Sequence, residues 1–203
     1  MMSNRVAAMS FAPHSGWAAM IVLGSEQSAP RVLARSRIDL IDHRVPESKQ
    51  PYHAVEGLGA DEAARRLDRY MAVAVDLAYS AIHLHAGDLA GRGYQVGTVG
   101  ILDSAGRKGS SLAAILASHA LIHSADGDHF RTALASAAER CRLTVYRVRA
   151  RDLETQAAAC IRRPVIELRD AAKEFGRRLG SPWGVDQKMA ALLAWLLLER
   201  GAR

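Results

Sequence analysis

Three β-rich segments fall within the first 41 residues, joined by turns too short to hold a helix. Residues 6–12 read as a strand and Pro13-His14-Ser15-Gly16 as a turn. Residues 17–23 form a second strand, residues 24–30 a second turn, and residues 31–41 a third strand. In that third strand Val32, Ala34, Ser36, Ile38 and Leu40 alternate with Leu33, Arg35, Arg37 and Asp39. Short connections make neighbouring strands pair antiparallel, so the chain is expected to begin as a three-stranded meander.

The pattern then changes period. Residues 42–59 are polar, carry Pro46, Pro51, Gly57 and Gly59, and predict a long loop. Leu67, Tyr70, Met71, Ala74, Leu77, Ala78 and Ile82 recur at helical spacing, which predicts a helix over 61–89 that Gly91 and Gly93 end. Residues 94–102 predict a fourth strand, whose glycines mark close approach of a neighbour. Gly106-Arg107-Lys108-Gly109-Ser110-Ser111 is a loop ending in a helix cap. The helix that follows, over 111–141, would be about 45 Å long in one piece at about 1.5 Å per residue, so a bend near Gly127 is expected. Residues 143–149 predict a fifth strand, and the remainder, punctuated by Pro164 and Pro182, is helical. This order predicts an α/β fold: a mixed five-stranded sheet, three antiparallel strands then two reached through helices, flanked by helices.

At 203 residues the chain is expected to be a single domain over 1–203. Its longest apolar run, residues 189–198, is half the roughly 20 residues a bilayer span needs. It reads as a buried core helix, and no membrane partner is expected. The N-terminus has no signal-peptide layout, and Cys141 and Cys160 make neither a disulfide framework nor a metal knuckle, which points to the cytoplasm. The net charge of +6 lies wholly in residues 101–203, which hold 17 Lys and Arg against 11 Asp and Glu. Nearly all of the excess is Arg, whose planar fork suits phosphate or carboxylate. Nucleic acid is therefore a candidate partner.

The densest chemistry lies between Ser118 and Arg131, where three of the eight histidines and two aspartates fall within eleven residues. A helix would stack His119, His123 and Asp126 on one face, in line with Leu112, Leu116, Phe130, Leu134, Ala137 and Cys141. Two imidazoles and a carboxylate suit zinc or non-haem iron, while a structural role in the core or at an interface accounts for the same residues. Asp126 and Asp128 also fit as caps of a helix starting near Gly127. Arg147, Arg149 and Arg151 alternate, and with Arg140, Arg142, Arg162 and Arg163 they make either a phosphate-binding stripe or a charged, protected sheet edge. Arg107 and Lys108 add two cations in a glycine-containing loop that opens a helix. Trp183 and Trp195 flank a Leu-rich helix and are expected to pack into the core.

The element order resembles the ribonuclease H-like superfamily, and Met9-Ser10-Phe11-Ala12-Pro13-His14-Ser15-Gly16-Trp17 is similar to the first strand and turn of RuvC-type Holliday-junction resolvases. The helix Val185-Asp186-Gln187-Lys188-Met189-Ala190-Ala191 looks like their acid-and-alanine helix. The resemblance implies acids on the first strand, the fourth strand and the last helix, binding two divalent ions for phosphodiester cleavage. Here Ala12 stands at the first position, Asp103 lies just past the fourth strand, and Met189 stands where a second helix acid is expected beside Asp186. The expectation is a degenerate active site in a nucleic-acid-associated or self-associating module. Two alternatives stand beside it. One is a hydrolase using a divalent metal (Mg, Mn or Zn) at His119, His123 and Asp126, with Asp103 and Asp186 assisting. The other is a structural homodimer.

Overall fold

The structure, a computed structural model, describes residues 5–26, 29–104, 110–177 and 179–201. Five strands form one sheet: β1 (Arg5–His14), β2 (Trp17–Glu26), β3 (Ala29–Asp39), β4 (Tyr94–Asp103) and β5 (Thr144–Arg149). Their order across the sheet is β3-β2-β1-β4-β5. β1 and β2, and β2 and β3, pair antiparallel, while β4 pairs parallel with both β1 and β5. The meander and the two helix-connected strands are thus where the sequence puts them. Among the described residues six α-helices accompany them: α1 (Ala60–Gly91), α2 (Leu112–Leu116), α3 (His119–Arg140), α4 (Leu153–Ile161), α5 (Val165–Arg177) and α6 (Val185–Gly201).

Because side chains alternate along a strand, each central strand feeds two cores. On one face Ala7, Met9 and Phe11 of β1 and Ala18, Met20 and Val22 of β2 pack against Ala74, Ala78 and Ile82 of α1 and Phe130 and Leu134 of α3. On the other, Ala8, Ala12, Ala19 and Ile21 pack against α6, whose residues 190–198 are all buried. A helix buried on every side needs cover beyond the sheet, and α4 and α5 supply it through Leu153, Ala157 and Leu168. Small residues let α6 come close. Ser10 donates its hydroxyl to the Ala190 carbonyl at 2.6 Å, and a Cβ on Gly100 would stand 2.7 Å from Leu193 Cγ.

The other β4 glycine has a different purpose. Ala7 pairs with Val96 but Ala8 pairs with Thr98, so Gly97 is an extra, unpaired residue, a β-bulge. It is not the close approach expected from sequence, since a Cβ there would meet nothing within 4 Å. The bulge inverts the alternation. Tyr94 and Val96 face α1 and α3 before it, and Val99 and Ile101 face them after it.

Two further expectations are corrected. The 111–141 helix breaks at Ser118 (φ −141°, ψ 110°) rather than near Gly127, which sits inside α3, so Asp126 and Asp128 are interior helical residues and not caps. The cap at Ser111 is as expected, accepting from the Ala114 N–H at 3.2 Å. The 42–59 loop contains two 3-10 turns, Pro46–Lys49 and His53–Val55. Buried Val55 packs with Ala63 and Leu67 of α1, and Leu112 and Leu116 of α2 join that cluster, so the loop is pinned beside the start of α3. Trp195 is in the core as expected, and partly buried Trp183 packs against the same cluster and donates its indole N–H to the Ala172 carbonyl at 2.8 Å.

The two glycines separate in a test. Gly100→Ala forces Leu193 and Leu197 aside and should cost about 1–3 kcal/mol in urea unfolding, whereas Gly97→Ala should stay within about 0.5 kcal/mol of the parent.

Candidate functional site

The C-terminal ends of β1 and β4 lie side by side, and the two faces of the sheet differ there. On the α6 face the strand ends present Ala12 and Leu102, both in the apolar core. Asp186, in the first turn of α6, faces His14 with its carboxylate 3.0 Å from Nε2, and the His14 ring stacks on Trp17 at 4.4 Å. Met189 packs into the core. Asp186 is the one acid that the structure puts at this place among the three positions read from sequence.

Asp103 goes to the opposite face because of the Gly97 bulge. There it meets two arginines. Arg147 donates from Nε and Nη2 to its two carboxylate oxygens at 3.1 and 3.3 Å, and Arg131 Nε lies 3.8 Å away. Arg147 Nη2 also donates to Asp128 at 2.5 Å, and Arg131 Nε donates to the Leu102 carbonyl at 3.2 Å. Two cations and two anions therefore share a half-buried network. Burial pulls the Arg131 guanidinium below its ordinary range, with Asp103 and Asp128 opposing. Burial acts on Arg147 in the same sense, but its hydrogen bonds to Asp103 and Asp128 outweigh it and the group ends above its usual value. Asp103 and Asp186 thus have different partners, two arginines for the first and His14 for the second.

A cavity of about 320 Å³ opens on this side, lined among others by Tyr52, Asp103, Ser124, Asp128, His129 and Arg147. His129 is only 4% exposed, and its Nε2 is a buried nitrogen without a hydrogen-bond partner among the described residues. Burial pushes its pKa from the usual 6.5 down to about 4, against a hydrogen bond to the Tyr70 backbone and the charge of Asp128. Burial likewise raises the Tyr52 phenol, with Asp128 and Asp126 adding to the effect.

The sequence-predicted metal trio is only partly assembled. His119 and His123 do meet, Nε2 to Nε2 at 3.0 Å, one turn apart on α3. Asp126 is turned inward, 3% exposed, and both of its oxygens are engaged: one accepts from the Tyr52 N–H at 2.7 Å, the other pairs with His53 Nδ1. The third imidazole beside the pair is His53, whose ring centroid lies 4.5 Å from that of His123 and 5.4 Å from that of His119. Sequence reading missed His53 because it sits in the polar loop, 66 residues before His119, and no spacing rule joins the two.

The arginine stripe is divided. Arg147 is committed to Asp103 and Asp128. Arg149 and Arg151 are exposed and share a single carboxylate, Asp152, at 2.5 and 3.5 Å. Arg140 pairs with Asp76 of α1 at 2.7 Å. Arg107 and Lys108 lie outside the described residues.

No family model matches the chain, and no curated protein matches it. Among solved structures it is similar to Thermus thermophilus RuvC in complex with a Holliday junction substrate (12% identity, TM-score 0.52). It is also similar to a second T. thermophilus RuvC structure (10% identity, TM-score 0.52). Each alignment covers 97% of this chain and 95% of the other. The fold is therefore RuvC-like, of the ribonuclease H-like kind. No helix among the described residues is long and apolar enough to cross a membrane.

Two measurements test the network. Arg147→Ala removes the guanidinium that bridges Asp103 and Asp128 and should cost about 2–3 kcal/mol, discounted from a fully buried pair for partial exposure. Arg149→Ala and Arg151→Ala should each change stability by less than about 0.5 kcal/mol. For His129, the unfolded ring takes up its proton near 6.5 and the folded one only near 4, so the stability gained from a neutral ring is whole above pH 6.5 and is lost as pH falls from there toward 4. Unfolding at pH 7 and 4.5 should show an acid loss about 2–3 kcal/mol larger in the parent than in His129→Phe.

Proposed function

We propose that this chain is a nucleic-acid-associated module on a RuvC-like fold in which the acidic two-metal centre is not assembled. The observation that carries the reading is the α6 face of the sheet end, where Ala12 and Leu102 lie in the apolar core with Met189 packed against it, and Asp186 is paired with His14. Two divalent ions about 3.5–4 Å apart need several carboxylates between them, and one acid with an imidazole partner does not meet that need.

Support for nucleic acid comes from charge and from likeness. The second half of the chain carries the whole net charge of +6. At the edge strand, Arg149 and Arg151 present two guanidinium groups to one Asp152, leaving local positive charge for a phosphate. By contrast Arg147, with its two acids, is not available to a backbone phosphate. The RuvC structure it resembles is a complex with a Holliday junction substrate, and a branched duplex is the natural first ligand to try.

The test is fluorescence anisotropy with labelled four-way junction and linear duplex, titrated across salt. Binding should weaken steeply with salt, and the Arg149→Ala/Arg151→Ala double variant should flatten the log–log slope by about 2, one for each phosphate that no longer meets a guanidinium. No strand cleavage is expected with Mg²⁺ or Mn²⁺. Salt-indifferent binding, or none at low salt, would remove the nucleic-acid reading. Metal-dependent cleavage abolished in Asp186→Asn would remove the degenerate-centre reading.

A further inference from the structure

We propose that His53, His119 and His123 form a binding site for a divalent transition metal of the zinc class, with Asp126 holding His53 in place from behind. The site is independent of the RuvC-like sheet end and of the nucleic-acid reading.

The argument begins with ligand chemistry. Three neutral imidazoles are a borderline-soft donor set that suits Zn²⁺ and its neighbours in the first row, and is poorly suited to Mg²⁺ or Ca²⁺, which prefer oxygen. In a tetrahedral zinc site with Zn–N near 2.0–2.1 Å, ligand nitrogens stand about 3.3 Å apart. The donor atoms of His53, His119 and His123 all lie within 4.8 Å of one another, and the His119–His123 pair is at 3.0 Å. The His119 and His123 rings are exposed and His53 is half-buried, so the two helical rings are the ones with room to turn toward a shared ion.

The second support is orientation. Buried Asp126 engages His53 Nδ1, and its other oxygen is held by the Tyr52 backbone N–H. A ring that donates its Nδ1 proton to a carboxylate carries its lone pair on Nε2, and that is the nitrogen left for a metal. A carboxylate bonded behind a ligating imidazole is the usual way proteins fix the tautomer and strengthen the ligand. Asp126, expected from sequence to be a ligand, thus becomes a positioning residue. The third support is where the ligands come from. Two lie in the first turns of α3 and one in the 3-10 turn His53–Val55, so a metal would tie the 42–59 loop to that helix. His119 and His123 are exposed, so the fourth position faces solvent and takes water or an anionic oxygen.

The experiment uses the tag-free full-length chain, stripped with chelator and titrated with Zn²⁺ against a chromophoric competitor, with Co²⁺ absorption as a second readout. The parent should bind one Zn²⁺ per chain, and Co²⁺ should give the intense visible bands of a tetrahedral site. His119→Ala and His123→Ala change exposed side chains, so their metal-free melting should match the parent's while Zn²⁺ affinity falls at least about 100-fold. Asp126→Asn should lower affinity by about 10- to 100-fold. Failure of the parent to bind Zn²⁺ stoichiometrically would overturn the proposal, as would parent-like affinity in a folded His119→Ala/His123→Ala protein.

Discussion

One extra residue in one strand decides the chemistry at the end of this sheet. Gly97 bulges out of the β1–β4 pairing, and from there on every side chain of β4 points to the face opposite the one an unbroken ladder would give it. Leu102 therefore closes the core under α6, and Asp103 emerges beside α1 and α3. A regular strand would send Asp103 toward Ala12 and Asp186. With the bulge, the two carboxylates lie on different sides of the sheet and acquire different partners, two arginines for one and a histidine for the other.

The same shift shapes the packing. Gly100 lands on the α6 face, where its missing side chain lets Leu193 and Leu197 reach the sheet. Ser10 on the neighbouring strand satisfies its hydroxyl by bonding the helix backbone at Ala190, so a polar residue is buried at little cost. At this end of the sheet Ala12, Leu102 and Gly100 thus serve the packing that holds α6 down.

Most of the architecture was legible in the chain. Three closely spaced β segments, a long amphipathic helix and two isolated strands leave few topologies once crossover rules apply, and the mixed five-stranded sheet is one of them. Failures occurred where non-local contacts override local signals. Gly97 and Gly100 look alike in sequence, yet only pairing with β1 distinguishes a bulge from a close approach. Gly127 is the obvious breaker, but α3 runs through it, and the break falls at Ser118, whose extended backbone separates α2 from α3. Within the site, the spacing of His119 and His123 announced a cluster. Its third imidazole did not announce itself, because the Val55–Leu67–Leu116 packing that delivers His53 spans elements far apart in sequence. The alternation of arginines was visible in sequence, but β5 ends at Arg149, and their pairing, Arg147 with Asp103 and Asp128 and Arg149 and Arg151 with Asp152, is set by residues that the spacing does not reveal.

That division has a reach beyond hydrogen-bond distance. Asp103, Asp128, Arg131 and Arg147 sum to zero, so their field is multipolar and dies within a few ångströms. Arg149, Arg151 and Asp152 leave an unbalanced unit of charge at the exposed edge of the sheet. At physiological salt the screening length is about 8 Å, and over that range only the second group is felt. On the proposed nucleic-acid reading, an incoming polyanion would be turned toward the β5 edge before any hydrogen bond forms, its encounter orientation set by this surface excess rather than by the balanced interior group.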